Sequence, residues 1–368
     1  MTQRERQLLR WIEEDPMISQ QDLADKAGIT RSSVAVHISN LMKKGYIAGK
    51  GYIVRSAPYS VVIGGVNMDI SGRALAPLTP GDSVPGTVQM CLGGAGRNIA
   101  HNMALLGMDV HLVTAFGDDL AGRKITTSCG NLGIDITHSL QVSDGATSTR
   151  LRLTAPDGAA EYALSDAGIY DQLTPAFLAS RLPFLNNAQL LVIDANLPEA
   201  TITWLAENCR PPILADPVSA AKAVKLRGVL SRIHTLKANR HETEGLSGIP
   251  LTSRNNIERA ADVLLAAGLH RIFITLGADG VFAADQRERF FLPALPGKLV
   301  DPIGCGDAFM AAIVWAFPEG ISLENTARTG LSAASIAMES ADTVNPSLCA
   351  AQVHQRSAAD RVRFEYPR

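Results

Sequence analysis

The chain has 368 residues, 46% of them hydrophobic and 19% charged, with a net charge of −2 at neutral pH. That length suits one large α/β domain plus a small one, and the near-balanced charge demands neither a nucleic acid nor a membrane as partner of the whole chain. Five scattered cysteines with no C-x-x-C pair, a polar N-terminus and no long apolar run argue against a disulfide scaffold, a secretory leader and a spanning helix, so a cytoplasmic protein is expected.

Charge is uneven along the chain. Residues 1–55 carry nine Lys/Arg against six Asp/Glu, a net of +3, which leaves −5 for the remainder. This marks a boundary near residue 55 and suggests an anionic partner for the first segment. Leu8, Leu9 and Ile12 recur at helical spacing, and Pro16 ends that helix. Ser19 caps a second helix carrying Leu23 and Ala27, which Gly28 breaks. Thr30 caps a third, Arg31 to Lys44, with Val34, Ile38 and Leu41 on its apolar face. Residues 46–54 read as a short hairpin around a glycine-rich turn. Three helices and a hairpin resemble a winged helix-turn-helix domain, here residues 1–55. The resemblance implies DNA binding, with Arg31, Ser32, Ser33 and His37 toward base edges and Lys43, Lys44 and Lys50 toward phosphates. The alternative is a docking or dimerisation module with a solvated basic face.

From Tyr59 the pattern changes. Short β-branched runs recur at 61–63, 110–113, 190–193, 212–215, 235–237 and 271–275. Helical segments lie between them at 97–107, 120–132, 199–208, 219–231, 254–268 and 308–317. This alternation predicts a mostly parallel sheet with helices on both faces, and a ligand site at the carboxyl ends of its strands. Polar residues stand at those ends: Asn67 and Asp69, Asp194 and Asn196, Asp216, Asn239 and Glu242, then Asp279. Residues 70–91 and 146–164 break the rhythm, the second alternating like a hairpin around Pro156-Asp157-Gly158. Both are expected to pair into a small β lid over the strand ends, where it would exclude water from a bound ligand.

The stretch Asp301-Pro302-Ile303-Gly304-Cys305-Gly306-Asp307 carries the chemistry. A glycine turn opening a helix aims N–H groups and the positive end of the helix dipole at one point, which suits a phosphate. A carboxylate beside an anion site fits one task, receiving a hydroxyl proton during phosphoryl transfer. The plain alternative is a glycine turn with Asp307 capping the helix.

Taken with Gly93-Gly94-Ala95-Gly96-Arg97-Asn98, Asn239-Arg240-His241-Glu242 and Thr275-Leu276-Gly277-Ala278-Asp279-Gly280, in this order, the stretch resembles the PfkB, or ribokinase-like, carbohydrate and nucleoside kinases. The match covers roughly residues 59–350, within a kinase domain of residues 56–368. It implies a ribokinase-like α/β fold with a β lid, and ATP and Mg²⁺ as cofactors; a lid with an exposed sheet edge would readily pair with another, so a homodimer through the lid is expected. It implies Asp307 as base and Gly304, Cys305 and Gly306 as anion hole. It places Asp69, Gly93, Gly94 and Asn98 at the acceptor. Asn239 and Glu242 would act through Mg²⁺-bound water, and Thr275, Gly277 and Gly280 would border the nucleotide. The usual signature has two threonines and an alanine where this chain has Pro302, Ile303 and Cys305. In many members Asp301 and the residue at Ile303 help to bind a monovalent cation, K⁺; backbone carbonyl ligation survives the change to Ile303 and a hydroxyl contribution does not. A cysteine at a helix N-terminus tends to have a lowered thiol pKa; the preferred reading of Cys305 is a small apolar residue in place of alanine.

Within the family, Gly93 to Gly107 and Asp216 to Ile249 resemble pseudouridine kinases. This implies transfer to the 5′-hydroxyl of a nucleoside, with Asn67, Asp69, Asn98, Thr149 and Asp166 supplying polar contacts. Other nucleosides, ribose or a ketose phosphate stay open as acceptors, as does a transcription regulator whose kinase-like body senses a sugar or nucleoside.

Overall fold

The structure, a computed structural model, describes residues 1–47, 58–79, 81–157 and 160–365. The chain divides into two units, Met1–Tyr59 and Ser60–Arg368. In the first, helices α1 (Gln3–Glu14), α2 (Gln20–Ala27) and α3 (Arg31–Lys43) begin at Thr2, Ser19 and Thr30. Each of these side chains accepts a backbone N–H of the first turn. Leu8, Ile12, Leu23, Val34 and Leu41 are fully buried among the three helices, each contributing roughly 1.5–3 kcal/mol.

Lys44 is not placed as the sequence suggested. Its Nζ donates to both carboxylate oxygens of Glu5, at 2.9 and 2.7 Å. Glu5 is buried, and a buried carboxylate needs a cation, so Lys44 is committed within this unit rather than offered to a phosphate. Arg31, Ser32 and Lys43 are exposed, while Ser33 and His37 are half-buried. Residues 48–54 of the expected hairpin, Lys50 among them, lie outside the described residues.

The second unit is built on an eight-stranded sheet. Its order is Arg289–Leu292, Val281–Asp285, Arg271–Thr275, Ile233–Asn239, Ile213–Asp216, Leu190–Asp194, Ser60–Ile63 and Val110–Val113. The last six run parallel and the first two pair antiparallel at one edge. The central strands are buried on both faces, as their continuous apolar runs require. The helix Cys305–Ala316 is apolar nearly all round because it is enclosed, packing with α4 (Ala95–Leu105) and the helix Leu323–Ala337 in one core.

The segment 219–231 does not form one α-helix. A short helix, Ala220–Ala223, tightens into a 3₁₀ stretch, Val224–Arg232. Gly228 weakens helix propensity there, and the Lys225 ammonium is held by the carbonyls of Ala195 and Leu197.

The expected lid is a four-stranded sheet in the order Gly86–Gly93, Asn67–Ala74, Thr149–Thr154 and Ala160–Asp166. Cross-strand register fixes its two faces. Cys91, Asp69, Arg150 and Ser165 share one row. Val88, Gly72, Leu153 and Tyr162 share another, as do Met90, Ile70, Leu151 and Leu164, and these apolar rows lie on the opposite face.

Candidate active site

A cavity of about 350 Å³ opens between the lid and the carboxyl ends of the central strands. Asp307 lines it from the first turn of the helix Cys305–Ala316. The turn before it is held by Gly304 in the left-handed region at φ 84°. A Cβ there would sit 1.8 Å from the Thr343 carbonyl oxygen, so only glycine fits. Asp307 Oδ2 accepts from the Asn98 side-chain amide at 2.9 Å. Burial first, then the negative charge of Asp216, push the Asp307 carboxyl up from its ordinary 3.8 to about 7; Lys237 and Asn98 oppose that rise. A carboxylate poised near neutrality is suited to accepting a proton.

The acceptor side is built from the lid and α4. Asn67 Nδ2 donates to Asp69 Oδ1 at 2.8 Å, and burial raises the Asp69 carboxyl, with Asn67 and Arg150 opposing. A Cβ on Gly93 would meet Asp69 Oδ2 at 2.0 Å. Gly93 thus makes room for the carboxylate, while Gly94 lines the cavity itself. Behind these turns, buried Asp194 accepts the N–H groups of Gly65 and Gly96, each at 2.8 Å, and of Asn196 at 2.8 Å. This strand-end carboxylate clamps the two glycine turns together and does not line the cavity.

On the other side, Asn239 and Glu242 cap the helix Arg240–Ser247 reciprocally: Asn239 Oδ1 accepts from the Glu242 N–H at 2.9 Å, and Glu242 Oε2 from the Asn239 N–H at 2.7 Å. Glu242 also lines the cavity, where burial raises its carboxyl. Thr275 sits in register beside Asn239, followed by the turn holding Gly277 and Gly280. Asp301 Oδ1 accepts from the Ile303 N–H at 2.8 Å, and the Ile303 side chain is exposed at the cavity rim.

Residues 57–349 match the model of the pfkB family of carbohydrate kinases. The chain belongs to that family. This pfkB kinase is a phosphotransferase acting on a hydroxyl group of a sugar or nucleoside. Residues 1–48 match a winged helix-turn-helix DNA-binding model. The uncharacterized sugar kinase YeiI of Escherichia coli is 37% identical over 354 residues, covering 95% of this chain and 97% of that one. The pseudouridine kinase of Escherichia coli is 35% identical over 302 residues, covering 82% and 96%. Among solved structures, a carbohydrate kinase from Agrobacterium tumefaciens superposes with a TM-score of 0.72 at 29% identity, covering 82% of this chain and 97% of that one. The ribokinase of Arabidopsis thaliana, complexed with ribose and ATP, shares the fold with a TM-score of 0.74 at 23% identity, over 82% and 99%.

The pfkB site departs from the sequence reading in two respects, a pair of lid residues and two missed lysines, and agrees with it on Cys305. Thr149 and Asp166 do not line the cavity. They pair with each other across the lid, and side-chain alternation turns their neighbours Ser148, Arg150, Ser165 and Ala167 to it instead. Cys305 has no activated thiol: burial first, then Asp301 and Asp307, push it up to about 11, which fits a small apolar residue. The reading also missed Lys237. Its Nζ donates to Asp216 Oδ2 at 2.8 Å, both groups are buried, and a Cβ on Gly306 would lie 3.0 Å from that Nζ. Burial alone would lower the Lys237 pKa, but Asp216, Glu242 and Asp307 outweigh it and hold the ammonium charged above its ordinary range. A lysine inside an apolar strand gives no signal except its place two residues before Asn239. Lys222 was missed too; it lines the cavity with its Nζ on Asn196 Oδ1.

Proposed function

We propose that this kinase transfers the γ-phosphoryl group of ATP to the 5′-hydroxyl of pseudouridine, giving pseudouridine 5′-phosphate and ADP. The observation that carries the reading is Asp307, enclosed at a helix N-terminus, hydrogen-bonded to Asn98 and raised to about 7. Asp307 takes the hydroxyl proton as the oxygen attacks phosphorus. The first-turn N–H groups of the helix, with Gly304, Cys305 and Gly306 shaping the turn, stabilise the transferred phosphoryl group. Lys237, beneath that turn, adds positive charge. Asn67, Asp69 and Asn98 hold the ribose hydroxyls. Lys222 and Arg150 line the same cavity and suit the carbonyl oxygens of a uracil ring.

Among the described residues no group of three or more His, Cys, Asp or Glu could hold a metal ion. This fits a Mg²⁺ held mainly by water and the nucleotide phosphates, with Glu242 as the protein's contact through water. Thr275, Gly277 and Gly280 border the nucleotide. Asp301 Oδ1 accepts from the Ile303 N–H, and a carboxylate that accepts one N–H keeps lone pairs for a cation, so Asp301 and the Ile303 carbonyl are the candidate ligands of a K⁺. The 35% identity to a pseudouridine kinase over nearly all of its length supports the acceptor. The 37% identity to a sugar kinase favours a free sugar as the second reading. A coupled ADP-release screen over nucleosides and sugars decides between them. Pseudouridine should rank among the best acceptors by kcat/KM, and a clear preference for a free sugar would overturn the first reading.

The lid face turned away from the cavity is apolar and exposed at Val88, Met90, Tyr162 and Leu164. It supports a homodimer paired lid to lid, and Leu164→Glu should yield monomer in sedimentation if that is its use. The first unit supports DNA binding through exposed Arg31, Ser32 and Lys43, with Ser33 and His37 beside them. Bound nucleoside would alter that affinity. A gel-shift on genomic fragments, with and without nucleoside, tests this, and an absence of specific binding in both arms would sink it. No helix among the described residues is long and apolar enough to cross a membrane.

A further inference from the structure

We infer that Arg97 is a positioning residue for phosphoryl transfer, locking the Asn98 side-chain amide so that its nitrogen faces the base. The inference rests on Asp307 being that base. Arg97 is 7% exposed and forms no ion pair with a carboxylate among the described residues. Its Nη1 donates to Asn98 Oδ1 at 3.2 Å and to the Leu92 carbonyl at 3.4 Å, and its Nη2 to Ser128 Oγ at 3.2 Å. Its Nε is buried with no acceptor.

A guanidinium has only donors. The Asn98 atom facing it must therefore be the oxygen, which turns the NH₂ toward Asp307 Oδ2 at 2.9 Å. The Asn98 backbone is already fixed: its N–H donates to the Gly94 carbonyl at 2.9 Å, and its carbonyl accepts from Asn102 Nδ2 at 2.8 Å. Only the amide orientation is left to specify. Flipped, Asn98 would set an oxygen against Asp307, two acceptors with no proton between them whenever Asp307 is ionised, so the proton-accepting form of the base would be disfavoured and displaced.

Burying a guanidinium with an unsatisfied N–H and no counter-ion is costly, and an apolar side chain of similar volume would serve stability better. The cost is accounted for if Arg97 acts through Asn98.

The test is a double-mutant cycle on the full chain, using whichever acceptor turns over best, so that failure of pseudouridine leaves it intact. Asp307→Asn is the control: if that variant turns over normally, the base assignment fails first. Arg97→Met should lower kcat by about a hundredfold, as expected for a misplaced catalytic group, and leave the KM for ATP unchanged. Arg97→Lys, which keeps a cationic donor, should recover much of the loss. Asn98→Ala combined with Arg97→Met should be no slower than Asn98→Ala alone, because Arg97 then has nothing to position. Losses that multiply in the double variant, or a normal kcat in Arg97→Met, would overturn the proposal. If Arg97→Met does not fold, the same cycle is run with Arg97→Gln, judged by the same criteria.

Discussion

Replacing Asp307 by asparagine should make this kinase more stable and nearly inactive, with a gain that grows with pH. Enclosure and the neighbouring charge of Asp216 lift the carboxyl from its ordinary 3.8 to about 7. A shift of that size corresponds to ~4 kcal/mol, and water in the cavity reduces the realised cost to about 2–4 kcal/mol. The sign follows from the two states. The unfolded chain ionises Asp307 above its ordinary value, whereas the folded chain keeps it protonated until about pH 7. The folding cost therefore builds between roughly pH 4 and pH 7 and is complete above that. Asparagine never pays it, and its oxygen still accepts from Asn98. Unfolding midpoints of parent and variant, compared near pH 5 and pH 8, should diverge at the higher pH. The same variant should lose ~10²–10⁴-fold in kcat, the usual share of a general base. A variant less stable than the parent at pH 8, or a stabilisation independent of pH, would refute the enclosure argument. Turnover close to that of the parent would refute the base.

Three further substitutions test the rest of the site. Lys237→Met leaves Asp216 buried without its cation, and should cost ~3–5 kcal/mol in urea unfolding, with the pH–rate profile moving alkaline as Asp307 loses a favourable charge. Lys222→Met should raise the KM for a uracil-bearing acceptor and leave that for free ribose unchanged; equal effects on both would remove Lys222 from base recognition. Gly304→Ala would press a methyl group into the Thr343 carbonyl, and should cost at least ~1–3 kcal/mol, with a loss of kcat; wild-type turnover would show that the turn is more pliable than its geometry implies.

The parts of the site that were legible in the sequence share a feature: each is written within a few residues. Thr2, Ser19 and Thr30 mark helix starts because a cap side chain reaches only the next turn. The four glycine and Asn/Glu motifs were readable because their spacing along the chain is itself the requirement. The β lid was expected from a break in the α/β rhythm, and its strands formed where that rhythm broke. The antiparallel edge strands Val281–Asp285 and Arg289–Leu292 went unread because the first abuts the turn ending at Gly280 and the second follows the charged turn Gln286-Arg287-Glu288, with no helix between them to mark a strand–helix alternation.

What local signals could not carry was the choice of partners and faces. Thr149 and Asp166 are as polar as Arg150 and Ser165, and a shift of one residue in lid register would have exchanged them. Lys44 looked like a free surface cation until Glu5, near the opposite end of the unit's sequence, was found buried against it. Lys237 gained a partner from a neighbouring strand, and Arg97 became interpretable only once Asn98 was seen against Asp307, 209 residues further along the chain. Caps and glycine turns depend on atoms a few bonds apart, so the residue order specifies them. Charge pairing, burial and the face a strand presents depend on segments brought together by packing, and only the folded arrangement assigns them.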